Sequence, residues 1–256
     1  RKCARGDITL VQDLKTGLVY NLTFQPELMQ YDTNYQNEQS HSNAFRKHFI
    51  RVAEIIHRHF TGMSLLEIGC GKGHFLQLLQ DQGYSVLGLD PAYEGKNPSV
   101  IRSYYSSKLG IKAEGIIMRH VLEHVTNPFS FLSEVFSGND RQGKIYIEVP
   151  CFEWIIKHKV WFDIYYEHVN YFRITDFYRI FGRIYESGHL FGGQYLYVVA
   201  DLSTLRPPIM ESKEIISFPS DFLASIAKWS AQIKENNSKH KHTVIWGGAS
   251  KGIIFC

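Results

Sequence analysis

The sequence has few cysteines, and they form neither a disulfide pattern nor a metal-binding pattern. Cys3, Cys70, Cys151 and Cys256 are scattered along the chain, and no C-x-x-C pair occurs. This spacing excludes a disulfide framework and a four-thiolate zinc site of the usual kind. We therefore expect a reducing, cytoplasmic setting and no metal site.

Long apolar runs and an excess of one charge are also missing. No run approaches the ~20 apolar residues that span a bilayer, and the first residues (Arg-Lys-Cys-Ala-Arg-Gly-Asp) lack the apolar core of a secretory signal. The 28 basic and 25 acidic residues leave a net charge of only +3. These absences predict no membrane and no nucleic-acid partner, so any partner has to be inferred from a site.

The composition that remains is that of a globular protein rich in aromatic residues. Its 256 residues are 44% hydrophobic and 14% aromatic. Helical and strand patterns alternate over 42–60 (helix), 64–68 (strand), 73–82 (helix), 85–89 (strand), 115–118 (strand), 128–136 (helix) and 144–149 (strand). This alternation predicts a doubly wound, Rossmann-like α/β sheet that is mostly parallel. After an aromatic insert (152–172) and a helix near 174–181, strands at 183–186 and 194–201 predict an antiparallel edge.

The strongest signal is a glycine-rich loop that follows the strand 64–68. Gly69, Gly71 and Gly73 occupy alternate positions, with Cys70 between the first two. Glycines at this spacing allow a tight turn and the close approach of a ligand to the main chain. Asp90 ends the next strand, about 20 positions later, where a carboxylate can accept both hydroxyls of a ribose.

Glu67 distinguishes between two classes of cofactor that share this geometry. A dinucleotide site has the spacing G-x-G-x-x-G, whereas this loop has G-x-G-x-G with a carboxylate two residues before it. That carboxylate would repel a pyrophosphate but suits a cationic amino-acid group. The pattern Glu67-x-Gly69-x-Gly71-x-Gly73 resembles motif I of the class I S-adenosylmethionine-dependent methyltransferases, which implies S-adenosyl-L-methionine as the cofactor and Asp90 as its ribose-binding acid.

A second segment, 116–125, supports this assignment. It reads Ile-Ile-Met-Arg-His-Val-Leu-Glu-His-Val, a buried strand with a polar end at the carboxyl edge of the sheet, where open α/β folds bind ligands. It looks like the "HVLEHV" stretch of many methyltransferases of this class. The resemblance implies that the backbone around Arg119 and His120 lies beside the methionine part of the cofactor. The alternative is that His120, Glu123 and His124 are polar residues at the start of a helix and have no chemical role. We favour this alternative for His124.

The aromatic insert contains the candidate base, His168. A histidine among aromatic side chains is partly desolvated, and an adjacent carboxylate such as Glu167 can hold it and tune its pKa. Residues 149–154 and 162–172 are similar to a segment of the sugar C-methyltransferase family, which acts on nucleotide-linked keto-deoxysugars. The resemblance implies that Tyr165, Glu167 and His168 line the sugar pocket and that His168 removes the proton from the carbon to be methylated.

The resemblance also predicts how the chain is organised. Residues 1–40 would be the remnant of a small N-terminal module, 41–205 the cofactor-binding methyltransferase domain, and 206–256 a helix near 219–236 and the start of a truncated Rossmann-like domain at the glycine turn 246–252. Tyr35 is a weaker candidate for the cofactor site. The second cysteine pair of the family's zinc module is absent. The chain starts without Met and stops inside a glycine-rich motif, so we interpret it as a piece of a longer protein.

Three functional hypotheses stay open at this point. The first is C-methylation of a nucleotide-activated keto-deoxysugar. The second is O- or N-methylation of another small-molecule substrate, because the cofactor motifs do not specify the acceptor. The third is a non-catalytic or nicotinamide-binding Rossmann protein whose nucleotide site is the turn at 247–252. The sequence predicts no oligomeric state.

Overall fold

The computed structural model describes residues 6–29, 42–209, 215–245 and 250–255. The helices are α1 (Asn43–Phe60), α2 (His74–Asp81), α3 (Pro128–Gly138), α4 (Phe152–His158), α5 (Ile174–Ile180), α6 (Ala224–Ser238) and α7 (Ser250–Phe255). The strands are β1 (Leu10–Gln12), β2 (Val19–Asn21), β3 (Leu65–Ile68), β4 (Val86–Leu89), β5 (Val100–Ile101), β6 (Gly115–Arg119), β7 (Lys144–Pro150), β8 (Asn170–Tyr171), β9 (Ile184–Leu190) and β10 (Tyr195–Asp201).

The main sheet has seven strands in the order β5-β4-β3-β6-β7-β10-β9. The first five are parallel to one another, and β10 is antiparallel to both of its neighbours, β7 and β9. The predicted doubly wound α/β fold with an antiparallel edge is therefore confirmed. The antiparallel strand is the second from the edge, because the hairpin β9–β10 folds back so that β10 pairs with β7.

Alternation along the central strands separates two apolar cores. On β6, Ile116 and Met118 pack into one core, whereas Ile117 between them packs into the other. Successive side chains of a strand point to opposite faces, and this sheet is covered on both faces, so its strands are almost wholly apolar. On one face, Val52 and Ile56 of α1 are fully buried, which explains the helical spacing of apolar residues in 43–60.

A second, smaller sheet was not predicted from the sequence. Strands β1, β2 and β8 form it, with antiparallel pairing throughout. The backbone N–H of Asn21 donates to the Val169 carbonyl at 2.8 Å. The buried guanidinium of Arg173 donates to the Gly17 carbonyl at 2.9 Å. Residues near the N-terminus therefore hold the segment that follows the candidate base, His168.

The C-terminal region is described only in part around the predicted glycine turn 246–252. Residues 241–245 form no strand, and 246–249 lie outside the described residues, so the predicted domain start stays a prediction. Helix α7 packs against the 3-10 turn Trp161–Asp163, with the Phe255 ring stacked on Trp161 at 5.6 Å between ring centres. Among the described helices, none combines the length and the apolar character that crossing a membrane requires.

Candidate active site

A cavity of about 510 Å³ opens at the carboxyl end of the parallel strands. Its wall includes the glycine loop after β3, the end of β4, the turn after β6 and the segment 163–168 of the aromatic insert. Parallel strands all end at the same edge of the sheet, so the loops that follow them meet there. The predicted cofactor residues of these loops therefore line the same cavity as two of the predicted catalytic residues, Tyr165 and His168.

The loop after β3 needs its glycines for two different reasons. Gly69, Gly71 and Gly73 all have positive φ angles (+74°, +56° and +78°), which side chains disfavour. A Cβ atom on Gly69 would lie 2.4 Å from Cγ2 of Val121, so the backbone there is packed against the turn after β6. A Cβ atom on Gly71 would have no described atom within 4 Å. The main chain at Gly71 is therefore exposed to the open space of the cavity, as a cofactor cradle requires.

Asp90 is oriented by backbone amides at the end of β4. Its Oδ2 accepts from the Gly71 amide and its Oδ1 from the Ala92 amide, both at 2.8 Å. Each carboxylate oxygen has a further lone pair that can accept a hydroxyl. The position fits the predicted ribose-binding role, and it couples the carboxylate directly to the glycine loop.

Glu67 is a buried carboxylate in the cavity wall. It is 1% exposed, and its Oε2 has no hydrogen-bond partner among the described residues. Burial raises the pKa of Glu67 to about 7; the Arg119 charge opposes this shift and Asp90 adds to it. A buried carboxylate beside a cavity fits a ligand with a positive charge, such as the sulfonium and ammonium groups of S-adenosylmethionine.

Cys70 also lines the cavity but serves mainly in packing. It is buried, and its Sγ lies 2.9 Å from the position that a Cβ atom on Gly88 would take. Burial raises the pKa of the Cys70 thiol well above its ordinary value. The thiol is therefore protonated and unreactive at neutral pH.

Arg119 is fixed between aromatic rings. Its guanidinium carbon lies 4.8 Å from the ring centre of Phe49 and 4.6 Å from that of Phe75. Its Nη2 is 3.4 Å from Oε1 of Glu148. The cation–π contacts and the ion pair hold a buried positive charge near the cofactor loop.

His120 has a strained backbone and lies between two carboxylates. Its φ is +54°, unusual for a residue with a side chain. Nδ1 lies 3.3 Å from Oε1 of Glu123, and Nε2 lies 3.0 Å from Oε1 of Glu148. Although burial opposes it, the contacts with these carboxylates raise the pKa of His120 to about 9. His120, which is partly exposed, therefore brings a positive charge to the cavity at neutral pH.

Glu148 anchors this network and was missed in the sequence. It is fully buried on β7; His48 Nε2 lies 2.9 Å from its Oε1, and the Tyr146 hydroxyl donates to its Oε2 at 2.8 Å. Burial would raise the pKa of Glu148, but the Arg119 charge and the two imidazoles hold it well below the ordinary range. A lone acid in the apolar strand 144–150 was the signal that could have revealed it.

His168 is buried at the far side of the cavity. Its Nε2 lies 2.6 Å from the Tyr165 hydroxyl, and its Nδ1 has no hydrogen-bond partner within the described part of the chain. Burial, with the charges of His124, His120 and Lys251, lowers the pKa of His168 well below its ordinary range. The imidazole is therefore neutral at neutral pH, with one nitrogen available to a bound molecule.

The other predicted residues of the insert are placed differently. The hydroxyl of Tyr165 holds His168, whereas Glu167 does not line the cavity and its carbonyl oxygen lies 2.8 Å from Nδ1 of His124. Tyr35 lies outside the described residues. The ion pair between Asp163 and Lys251 (2.5 Å) also borders the cavity and was not predicted.

The sheet, the glycine cradle and the acid after the second parallel strand define a Rossmann-like domain that binds a nucleoside cofactor. A family model described as a methyltransferase domain matches residues 40–184, more than half of the chain. The chain therefore belongs to the methyltransferase domain family, and it is an S-adenosylmethionine-dependent methyltransferase. This membership decides against the nicotinamide-binding hypothesis.

Solved structures are similar to this chain at low identity. An S-adenosylmethionine-dependent methyltransferase of Archaeoglobus fulgidus shares 18% identity over 63% of this chain and 95% of its own, with a TM-score of 0.47. Magnesium protoporphyrin IX methyltransferase of Synechocystis shares 17% sequence identity with this chain. The match covers 62% of this chain and 83% of that protein, with a TM-score of 0.47. A 1,6-didemethyltoxoflavin-N1-methyltransferase of Burkholderia thailandensis shares 11% sequence identity with this chain. The match covers 77% of this chain and 99% of that protein, with a TM-score of 0.45. No curated protein sequence matches the chain.

Proposed function

We propose that this enzyme methylates a carbon atom next to the ketone of a nucleotide-activated keto-deoxysugar, with His168 as the base. The observation that carries the proposal is the position of His168. His168 lines the same cavity as the glycine cradle, Glu67 and Asp90, and its Nδ1 is buried without a partner among the described residues. A proton acceptor and a cofactor site in one cavity are what methylation at carbon requires.

The residues of the chain divide the task between the two sides of the cavity. S-adenosylmethionine supplies a methyl group bound to a sulfonium. Glu67, the Gly71 backbone and Asp90 would hold this cofactor. On the other side, His168 Nδ1 takes the proton of the carbon flanking the ketone, and the electron pair left behind makes that carbon nucleophilic. The Tyr165 hydroxyl fixes the ring through Nε2 at 2.6 Å.

The substrate class is supported by the segment that provides the base. Tyr165 and His168 belong to the Y-x-E-H stretch that resembles the sugar C-methyltransferases, and these two side chains are in direct contact. Glu167 is proposed with them as a residue that positions the segment through its carbonyl contact with His124. Methylation at oxygen or nitrogen of another small molecule is the alternative, and it needs no C–H proton to be removed.

The experiment is proton exchange before methylation. The enzyme with S-adenosylhomocysteine and a nucleotide-linked keto-deoxysugar in heavy water should exchange the C–H proton next to the ketone, as measured by NMR. His168→Ala should stop both exchange and methylation while binding S-adenosylhomocysteine as the wild type does. His189→Ala, a change of an exposed histidine on β9, is the control and should exchange normally. Full turnover by His168→Ala would refute the proposal.

The setting proposed for the enzyme is the cytoplasm. Cys70 and Cys151 are free and buried thiols in the described part of the chain. This supports a reducing compartment, where disulfides are rare.

A further inference from the structure

Three possible metal ligands converge in the cavity, apart from the glycine cradle. Glu123 and His124 belong to the 3-10 turn Leu122–His124 after β6, and His168 lies just before β8. One ligand atom of each residue lies within 4.8 Å of the other two. All three residues line the cavity. A cation held by them would therefore keep open coordination positions toward a bound molecule.

Two of these side chains are buried with an atom that lacks a partner. Glu123 is 1% exposed and His168 is 5% exposed. Neither Oε2 of Glu123 nor Nδ1 of His168 has a hydrogen-bond partner in the described ranges. Burying a carboxylate oxygen without a partner costs free energy, and a bound cation would remove that cost.

Hydrogen bonds on the far side of the two imidazoles orient them. Nδ1 of His124 lies 2.8 Å from the Glu167 carbonyl oxygen, which can only accept, so Nδ1 carries a proton and Nε2 is the atom that would bind a cation. That Nε2 lies 4.0 Å from Oε1 of Glu123. For His168, Nε2 contacts the Tyr165 hydroxyl, which leaves Nδ1 as the nitrogen without a partner among the described residues. Metal-bound histidines are commonly fixed in this way by a partner on the other nitrogen.

Two other groups of potential ligands fit a cation less well. In the group of His48, His120 and Glu148, both carboxylate oxygens already have partners, among them Arg119 at 3.4 Å and the Tyr146 hydroxyl at 2.8 Å, whereas Oε2 of Glu123 has none among the described residues. In the group of Cys151, Glu153 and His189, two members are exposed, and burial raises the pKa of the Cys151 thiol to about 11. The thiolate that a metal needs is therefore disfavoured.

We propose that Glu123, His124 and His168 form a binding site for one first-row divalent cation, such as Zn²⁺ or Co²⁺. Two imidazoles and one carboxylate are a donor set that these ions prefer. Around Zn²⁺ the ligand atoms would lie about 3.4 Å from one another, so small rotations of the three side chains would close the site. The sequence did not indicate it, because His168 is remote from the other two ligands along the chain.

Cation binding has a regulatory consequence, which rests on the proposed function. The Nδ1 lone pair of His168 cannot bind a cation and accept a proton at the same time. The cation should therefore inhibit proton exchange and methylation at the concentration at which it binds. Lys251, which also lines the cavity, is paired with Asp163, so its charge is offset.

The test begins with binding rather than activity. Untagged protein is freed of metal with a chelator and titrated with Co²⁺, followed by its visible absorption, and then with Zn²⁺ by calorimetry. We expect one cation per wild-type chain. Glu123→Gln and His168→Gln should each weaken binding at least about tenfold, and His189→Ala should leave it unchanged. Retained binding of S-adenosylhomocysteine shows that a variant is folded, and His124→Gln replaces any variant that is not.

The outcomes separate this site from the proposed function. No stoichiometric binding to the wild type, equal binding to Glu123→Gln, or loss of binding in His189→Ala would overturn the cation site. Inhibition of proton exchange with a constant equal to the dissociation constant supports both proposals. A bound cation that stimulates methylation would confirm the site but overturn the role of His168 as the base.

Discussion

Glu67 gives the sharpest prediction about the cofactor site. Burial raises its pKa from 4.5 to about 7, and one pKa unit corresponds to about 1.4 kcal/mol. The ionised carboxylate thus costs the folded protein about 3 kcal/mol without a ligand. Because the folded-state pKa lies above the unfolded one, the protonated group favours the fold at low pH, and this contribution is lost as pH rises from about 4.5 through 7.

Glu67→Gln should remove this pH dependence. The amide has the shape of the acid but carries no charge, so the variant should be more stable than the wild type at pH 8 by up to about 3 kcal/mol and similar to it near pH 4. Chemical denaturation followed by circular dichroism measures the difference. Glu54→Gln, a change of an exposed residue on α1, is the matched control and should show no such trend.

Binding of the cofactor should change the ionisation of Glu67. The ammonium group of S-adenosylhomocysteine, bound near Glu67, would favour the ionised carboxylate, so binding near pH 6 should release protons, and the affinity should rise with pH up to about 7. Calorimetry in two buffers of different ionisation enthalpy counts the protons. Equal proton release by the wild type and Glu67→Gln, with parallel stability profiles, would refute the assignment of Glu67 to the charge of the cofactor.

Two further predictions concern carboxylates with opposite roles. Asp90→Asn should weaken S-adenosylhomocysteine binding by at least about tenfold. The asparagine side chain carries no charge, and it cannot accept hydrogen bonds from both backbone N–H groups, including that of Gly71. An unchanged dissociation constant in calorimetry would contradict this prediction. Glu186 is held by Arg58, His59 and Tyr197. Burial opposes the shift, but the hydrogen bonds from these three side chains lower the pKa of Glu186 to about 2. The ionised Glu186 stabilises the fold above pH 4.5, and this stabilisation is lost as pH falls through 2. Because solvent screens the ion pair, Glu186→Gln should lower the free energy of unfolding by only about 1 kcal/mol at pH 7 and should not change it near pH 2 in denaturation experiments.

Parts of the fold that depend on local pattern were predictable. Strands β3, β4, β6 and β7 lie within a residue or two of their predicted bounds, because a strand covered on both faces is a continuous apolar run. Strand β5 was missed because its two residues show no periodicity. Helix α4 was missed because the aromatic residues of 152–172 conceal its helical spacing.

The sequence by itself was enough to predict the cofactor loop. The glycines are needed there for the backbone conformation, and Glu67 and Asp90 for their positions at the ends of two strands, and both features can be recognised from local sequence. Only the tertiary structure decided that His168 reaches the same cavity and lies close to His124 and Glu123. These contacts join segments far apart in the chain, held together by the small sheet β1-β2-β8 and by β6. No local periodicity records such contacts, because they depend on packing between distant elements.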